Sequence, residues 1–126
     1  MDNNIETEEI WRSIEGYEGL YQVSSLGMVR SCDKIVNCKG GTRMIKGKVL
    51  SQRRGMNGYL TIVLHKNHKP TGFSVHRLVA KAFPEICGEY RNGLEVDHKN
   101  TLRTDNRAEN LHWVTRSQNH LNPITR

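Results

Sequence analysis

With 126 residues, of which 36% are apolar and 25% charged, the chain can bury one modest core and form at most one or two small domains. No apolar run approaches the roughly 20 residues of a membrane helix, and three cysteines without a C-x-x-C pair argue against a disulfide scaffold. The net charge of +6 is unevenly spread: residues 1–29 carry six acids and one base (−5), residues 30–81 twelve bases and one acid (+11), and residues 82–126 six of each. A basic stretch of this kind, spaced among glycines and strand-like residues, is the footprint of a structured face for a polyanion.

In chain order, residues 1–7 are polar and expected to be a disordered tail. Residues 9–14, 20–24 and 28–31 read as three short strands separated by glycine-bearing turns, a small antiparallel sheet. Residues 32–43 read as an exposed loop with Gly40 and Gly41 at its tip. Two further strands are expected over 44–52 and 59–64; the second is apolar almost throughout and therefore central. A tight connection over 67–72, containing Pro70, leads to a strand at 73–75. Helical spacing begins at His76, where Leu78, Val79, Ala82 and Phe83 share one face, and Pro84 stops it. A loop over 85–93 precedes a strand at 94–97. A polar loop over 99–109, a strand at 111–114 and a short helix ending before Pro123 complete the chain. The fold class expected is α+β. A basic β-rich region over 8–75 is followed by a second unit over 76–126.

The chemistry concentrates in that second unit. Asp97 and His98 are adjacent, Asn110 closes the polar loop, and Asn119 sits on the terminal helix. One carboxylate and one amide oxygen suit Mg²⁺, with Mn²⁺ as the alternative. A neutral imidazole takes a proton from water near pH 7. Side chains alternate along a strand, so His98 is expected where the strand breaks into the loop. Asn110 is expected to brace that break through main-chain hydrogen bonds. Asp97 and Asn119 then hold the cation, and His98 deprotonates a water aimed at phosphorus. His120 is a rival to Asn119, but neighbouring helical residues point about 100° apart, so one of the two fits. Arg43, Lys46, Lys48, Arg53 and Arg54 are expected on phosphates. His76 and Arg77 divide between nucleic-acid contact and support of the fold. Trp113 is expected in the core rather than His112. A zinc site from Cys32, Cys38, His65 and His68 has poor spacing.

The segments Asp97-His98-Lys99-Asn100, Glu109-Asn110-Leu111-His112-Trp113-Val114-Thr115 and Gln118-Asn119 resemble the HNH motif of phage and intron homing endonucleases. Residues 11–24, and Val75-His76-Arg77-Leu78-Val79-Ala80, resemble the amino-terminal module and the start of the HNH region in the same proteins. The resemblance covers residues 9–120. It implies a ββα-metal nuclease fold and divalent-metal-dependent cleavage of double-stranded DNA. It also implies Asp97 and Asn119 as metal ligands, His98 as general base and Asn110 as the structural residue. Asn119 stands where many family members have histidine, and some homing members use asparagine there. Family members often continue into a carboxy-terminal DNA-reading segment, and this sequence stops at Arg126. A monomer, the favoured state, has one site and should nick one strand, whereas cutting both would need a dimer or a second encounter. The setting expected is the cytoplasm of a host cell, with neither a membrane nor a small-molecule cofactor involved. A non-cleaving DNA-binding module and an RNA-binding protein are the rival readings.

Overall fold

The computed structural model describes residues 8–117. The tail expected over 1–7, and the terminal helix with Asn119 and His120, lie outside the described residues. Within them, short antiparallel sheets and two helices give the α+β class. Strands β1 (Trp11–Ser13), β2 (Tyr21–Ser24) and β3 (Val29–Ser31) form a meander in which Val23 lies opposite Val29. Both valines are fully buried, so this sheet turns one apolar face inward.

Residues 32–43 are not a loop. They contribute to a hairpin of β4 (Lys34–Cys38) and β5 (Gly41–Ile45), paired from Lys34 opposite Ile45 to Cys38 opposite Gly41. Every β5 residue is exposed, and of β4 only Val36 is partly covered. A hairpin wet on both faces has no inside-outside alternation to read.

The strand expected over 44–52 is also corrected, because β5 ends at Ile45. Gly47 then runs against β3 so closely that a Cβ there would lie 2.0 Å from the carbonyl oxygen of Ser31. Its N–H donates to Asp33 Oδ1 at 2.7 Å, and Ser31 N–H donates to the Lys48 carbonyl at 2.9 Å. Close backbone approach therefore replaces a regular ladder, with a single bridge between Arg30 and Val49.

Next come β6 (Arg53–Arg54), β7 (Leu60–Lys66) and β8 (Lys69–Ser74), with β7 central as its apolar run predicts. The connection after β7 is shorter than expected. Asn67 and His68 alone turn the chain, at φ 53° and 62°, and Pro70 lies on the edge strand β8, where a missing N–H is tolerated.

Helix α1 (Val75–Ala82) buries Val75, His76, Leu78, Val79 and Ala80. Pro84 follows its end and also opens a second helix, α2 (Pro84–Cys87), at a position where its missing N–H has no partner to lose. Arg12 of β1 donates to the Ala82 carbonyl at 2.7 Å and pairs with Glu85, so the first sheet is tied to the end of α1. The last sheet pairs β9 (Leu94–His98) with β10 (Leu111–Thr115), which follows a 3-10 turn over Ala108–Asn110. One core joins the meander, β7, α1 and the last sheet: Val23 and Val29 from the meander, Leu64 from β7, Val79 from α1, Phe83 after it and Leu111 from β10. Trp113 packs against it partly buried, with its indole N–H toward the Ala80 carbonyl at 3.4 Å. Among the described residues, no helix is long and apolar enough to cross a membrane.

Candidate active site

Strand β9 ends on Asp97 and His98, which are 4% and 5% exposed. Successive strand residues face opposite sides, so each needs its own cover. On one side Asp97 lies across from His112 of β10, whose Nε2 donates to Asp97 Oδ2 at 2.7 Å. On the other, His98 sits 5.2 Å from the His76 ring and 5.8 Å from the Tyr59 ring, centroid to centroid. Both neighbours are buried on opposite sides of the strand because α1 and residues preceding β7 close over His98. His98 is the last residue of the strand, where the expected loop begins.

The loop over 99–109 is fastened at both ends. Asn110 Oδ1 accepts from Asn100 N–H at 3.1 Å, and Asn110 Nδ2 donates to the Asp105 carbonyl at 2.8 Å and to Asn100 Oδ1 at 2.9 Å. Lys99 N–H donates to the Asn110 carbonyl at 2.8 Å. Asp105 accepts from Arg107 and from Asn100 Nδ2; the guanidinium bond, first, holds its carboxyl at about 2, well below the ordinary value. Asn106, 3% exposed, accepts at Oδ1 from His98 Nε2 over 2.8 Å.

Electrostatics keep both imidazoles of this cluster neutral. Burial lowers the pKa of His98, against the opposing pull of Asn106 and of the Asp97 and Asp105 charges. His76 falls to about 4, chiefly by burial and further through His98 and Arg77, and its Nδ1 is buried with no hydrogen bond. A neutral His98 can accept a proton, and a charged neighbour at His76 would make that harder.

The residues present fit a divalent cation. Asp97 Oδ1 is buried without a partner, and an acceptor left in that state costs about 1–3 kcal/mol unless something else meets it. A hard anionic oxygen suits Mg²⁺ or Mn²⁺. His112 fixes the other oxygen, the usual arrangement for a ligating carboxylate. Among the described residues, no three His, Cys, Asp or Glu side chains group as a metal site, so Cys32, Cys38, His65 and His68 do not form one.

Arg43 on β5, Lys46 and Lys48 after it, and Arg53 and Arg54 on β6 are all exposed. On α1, Arg77 is exposed while His76 is buried beneath Tyr59, with ring centroids 4.8 Å apart. A cleft of about 770 Å³, lined by Asn57, Tyr59, His76, Arg77, Lys81 and Glu95 among others, opens beside Asp97 and His98 rather than over them. The sequence reading missed Asn106, Tyr59 and the contact of His112 with Asp97. Alternation along residues 111–114 sets His112 and Trp113 on opposite faces, but pairing His112 with Asp97 needs the register across a loop. Asn106 is one polar residue among many in that loop, and no sequence signal marks it.

Residues 9–65 match the family model described as the NUMOD4 motif, and residues 73–121 match that described as HNH endonuclease. The chain is 40% identical over 116 residues to the DNA endonuclease I-HmuI of Bacillus phage SP01, covering 92% of this chain and 58% of that protein. It is 38% identical over 115 residues to an uncharacterised HNH endonuclease of Acanthamoeba polyphaga mimivirus, covering 88% of this chain and 25% of that one. Its fold superposes with a TM-score of 0.72 and 39% identity on a solved structure of DNA binding and cleavage by the HNH homing endonuclease I-HmuI. That match covers 92% of this chain and 58% of the other, so this chain spans little more than half the length of that relative.

Proposed function

Because the chain belongs to the HNH endonuclease family, we propose that it is a divalent-metal-dependent DNA endonuclease that hydrolyses a phosphodiester and nicks one strand as a monomer. The observation that carries this reading is the pair at the end of β9: a buried carboxylate with one unmet oxygen beside a buried imidazole kept neutral. His98 accepts a proton from the attacking water at the ring nitrogen that Asn106 leaves open. Asp97, together with Asn119 from the segment after β10, would hold Mg²⁺, with Mn²⁺ as the alternative. When bound, the cation neutralises charge developing on the phosphate and the leaving oxygen. Asn110 keeps the loop closed so that His98 and Asp97 hold their separation.

Arg43, Lys46, Lys48, Arg53, Arg54 and Arg77 neutralise phosphates of double-stranded DNA. His76 is the covered wall of the site rather than a contact, since 7% exposure leaves little to offer a ligand. The basic region over 8–75 positions the duplex and the unit over 76–126 cuts it, in the cytoplasm of the host cell. The test is conversion of supercoiled plasmid by wild type and His98→Ala, with Mg²⁺ and with EDTA. Open circles that require both Mg²⁺ and His98 support the reading, and linear product would replace nicking by paired cutting. No cleavage by wild type, with a retained gel shift, would replace the endonuclease by a DNA-binding module.

A further inference from the structure

We propose that Asn106 is the positioning residue for His98, and that the turn joining β2 to β3 is what seats Asn106. This deepens the reading of His98 as general base and rests on it. An amide oxygen only accepts, so the 2.8 Å contact of Asn106 Oδ1 with His98 Nε2 puts the imidazole proton on Nε2 and the lone pair on Nδ1. Among the described residues nothing hydrogen-bonds to Nδ1. The ring is thus oriented by a side chain from its own loop, eight residues on, and the basic nitrogen is the one left for water.

Asn106 does not hold itself. Its Nδ2 has no hydrogen bond, so its own amide adds no second anchor. The anchor comes from the amino-terminal half. Gly27, at φ +90°, lies so close that a Cβ would meet the Asn106 carbonyl oxygen at 3.0 Å and its carbonyl carbon and Cβ at 3.1 Å. In the same turn the Ser25 carbonyl accepts from Ala108 N–H at 2.8 Å, two residues past Asn106. Gln52 Nε2 donates to the Gly27 carbonyl at 2.9 Å, and Ser24 Oγ accepts from Leu26 and Met28 N–H, so the turn is itself rigid. The amino-terminal half therefore does more than meet DNA: residues 24–28 complete the geometry of the general base. Asn110 and Asn106 divide the work, one fastening the loop and the other aiming the ring.

The test reads the His98 tautomer directly, by long-range ¹H–¹⁵N correlation on the ¹⁵N-labelled full chain at pH 7.5, beside single-turnover cleavage and DNA affinity without metal. Wild type is expected as the Nε2–H tautomer. Asn106→Ala is expected to mix tautomers and to slow cleavage on the order of 100-fold or more, as loss of a tautomer-fixing partner does, with affinity within about twofold. Asn106→Asp keeps an acceptor and is expected to keep the tautomer. Gly27→Ala is expected to disturb the tautomer with no change at Asn106 itself. A wild-type ring protonated on Nδ1 would overturn the proposal, as would Asn106→Ala with unchanged tautomer and rate. If Asn106→Ala does not fold, wild type and Asn106→Asp still decide it. If wild type does not cleave at all, the endonuclease reading fails while the tautomer still reports on Asn106.

Discussion

Replacing His76 by phenylalanine should remove a defined share of the protein's sensitivity to acid. His76 is 7% exposed, stacks against Tyr59, faces the His98 ring and has Arg77 beside it in sequence. Its pKa is about 4 in the folded chain against 6.5 for a free imidazole. The unfolded chain therefore binds the proton first as pH falls. The stability that neutral His76 contributes is complete above about pH 6.5 and is lost progressively on acidification toward 4. Two and a half pKa units at about 1.4 kcal/mol each set a ceiling of about 3–4 kcal/mol, and about 2–3 kcal/mol of it is gone by pH 4.5. That is a large part of a typical stability of about 5–15 kcal/mol. Phenylalanine keeps a ring against Tyr59 and cannot take a proton. Urea titrations at pH 7.5 and 4.5 should show the variant losing about 2–3 kcal/mol less than wild type over that interval. Because the His98 ring is close enough to couple, the same pair of titrations in a His98→Phe background separates the two. Equal acid losses in wild type and His76→Phe would refute the buried-neutral account of this histidine.

Other consequences are as direct. His98→Ala should abolish cleavage while a gel shift is retained, and equal loss of both would sink the general-base role. Asn110→Ala removes three hydrogen bonds from a buried amide and should cost roughly 2–3 kcal/mol, a fall in Tm on the order of 10 °C, with activity lost alongside; an unchanged melting temperature would exclude the bracing role. Gly47→Ala forces a carbon into the Ser31 carbonyl and should destabilise by about 1–3 kcal/mol in thermal denaturation, and a neutral result would mean that residues 46–48 detach freely. If about six phosphates are neutralised, log affinity should fall against log salt with a slope on the order of −5. A flat salt response would remove the basic face from the proposal.

What the sequence disclosed follows where burial leaves a pattern. The meander, the central β7 and the apolar face of α1 each carry one, and each was legible. The β4–β5 hairpin carries none, because its side chains answer to solvent on both sides, and the break at Gly47 depends on a backbone contact with β3 that no local signal encodes. In the site, Asp97, His98 and Asn110 stand out because a carboxylate, an imidazole and an amide at those separations suggest one reaction. Asn106 and His112 act through partners eight and fifteen residues away across a loop. Their significance comes from register and from a turn contributed by the other half of the chain, neither of which residue type reveals.

The β4–β5 hairpin also has a consequence for how this molecule can change. It is secured at its base by Asp33, Ser31 and Lys48, while β5 contributes nothing buried. Its amides are expected to exchange with solvent by local opening, long before the core strands release theirs. An appendage with so small a share in global stability can be lengthened, shortened or rewritten without a folding penalty. Variation there alters what the surface meets, and selection can act on that surface while leaving the distances around His98 as they are.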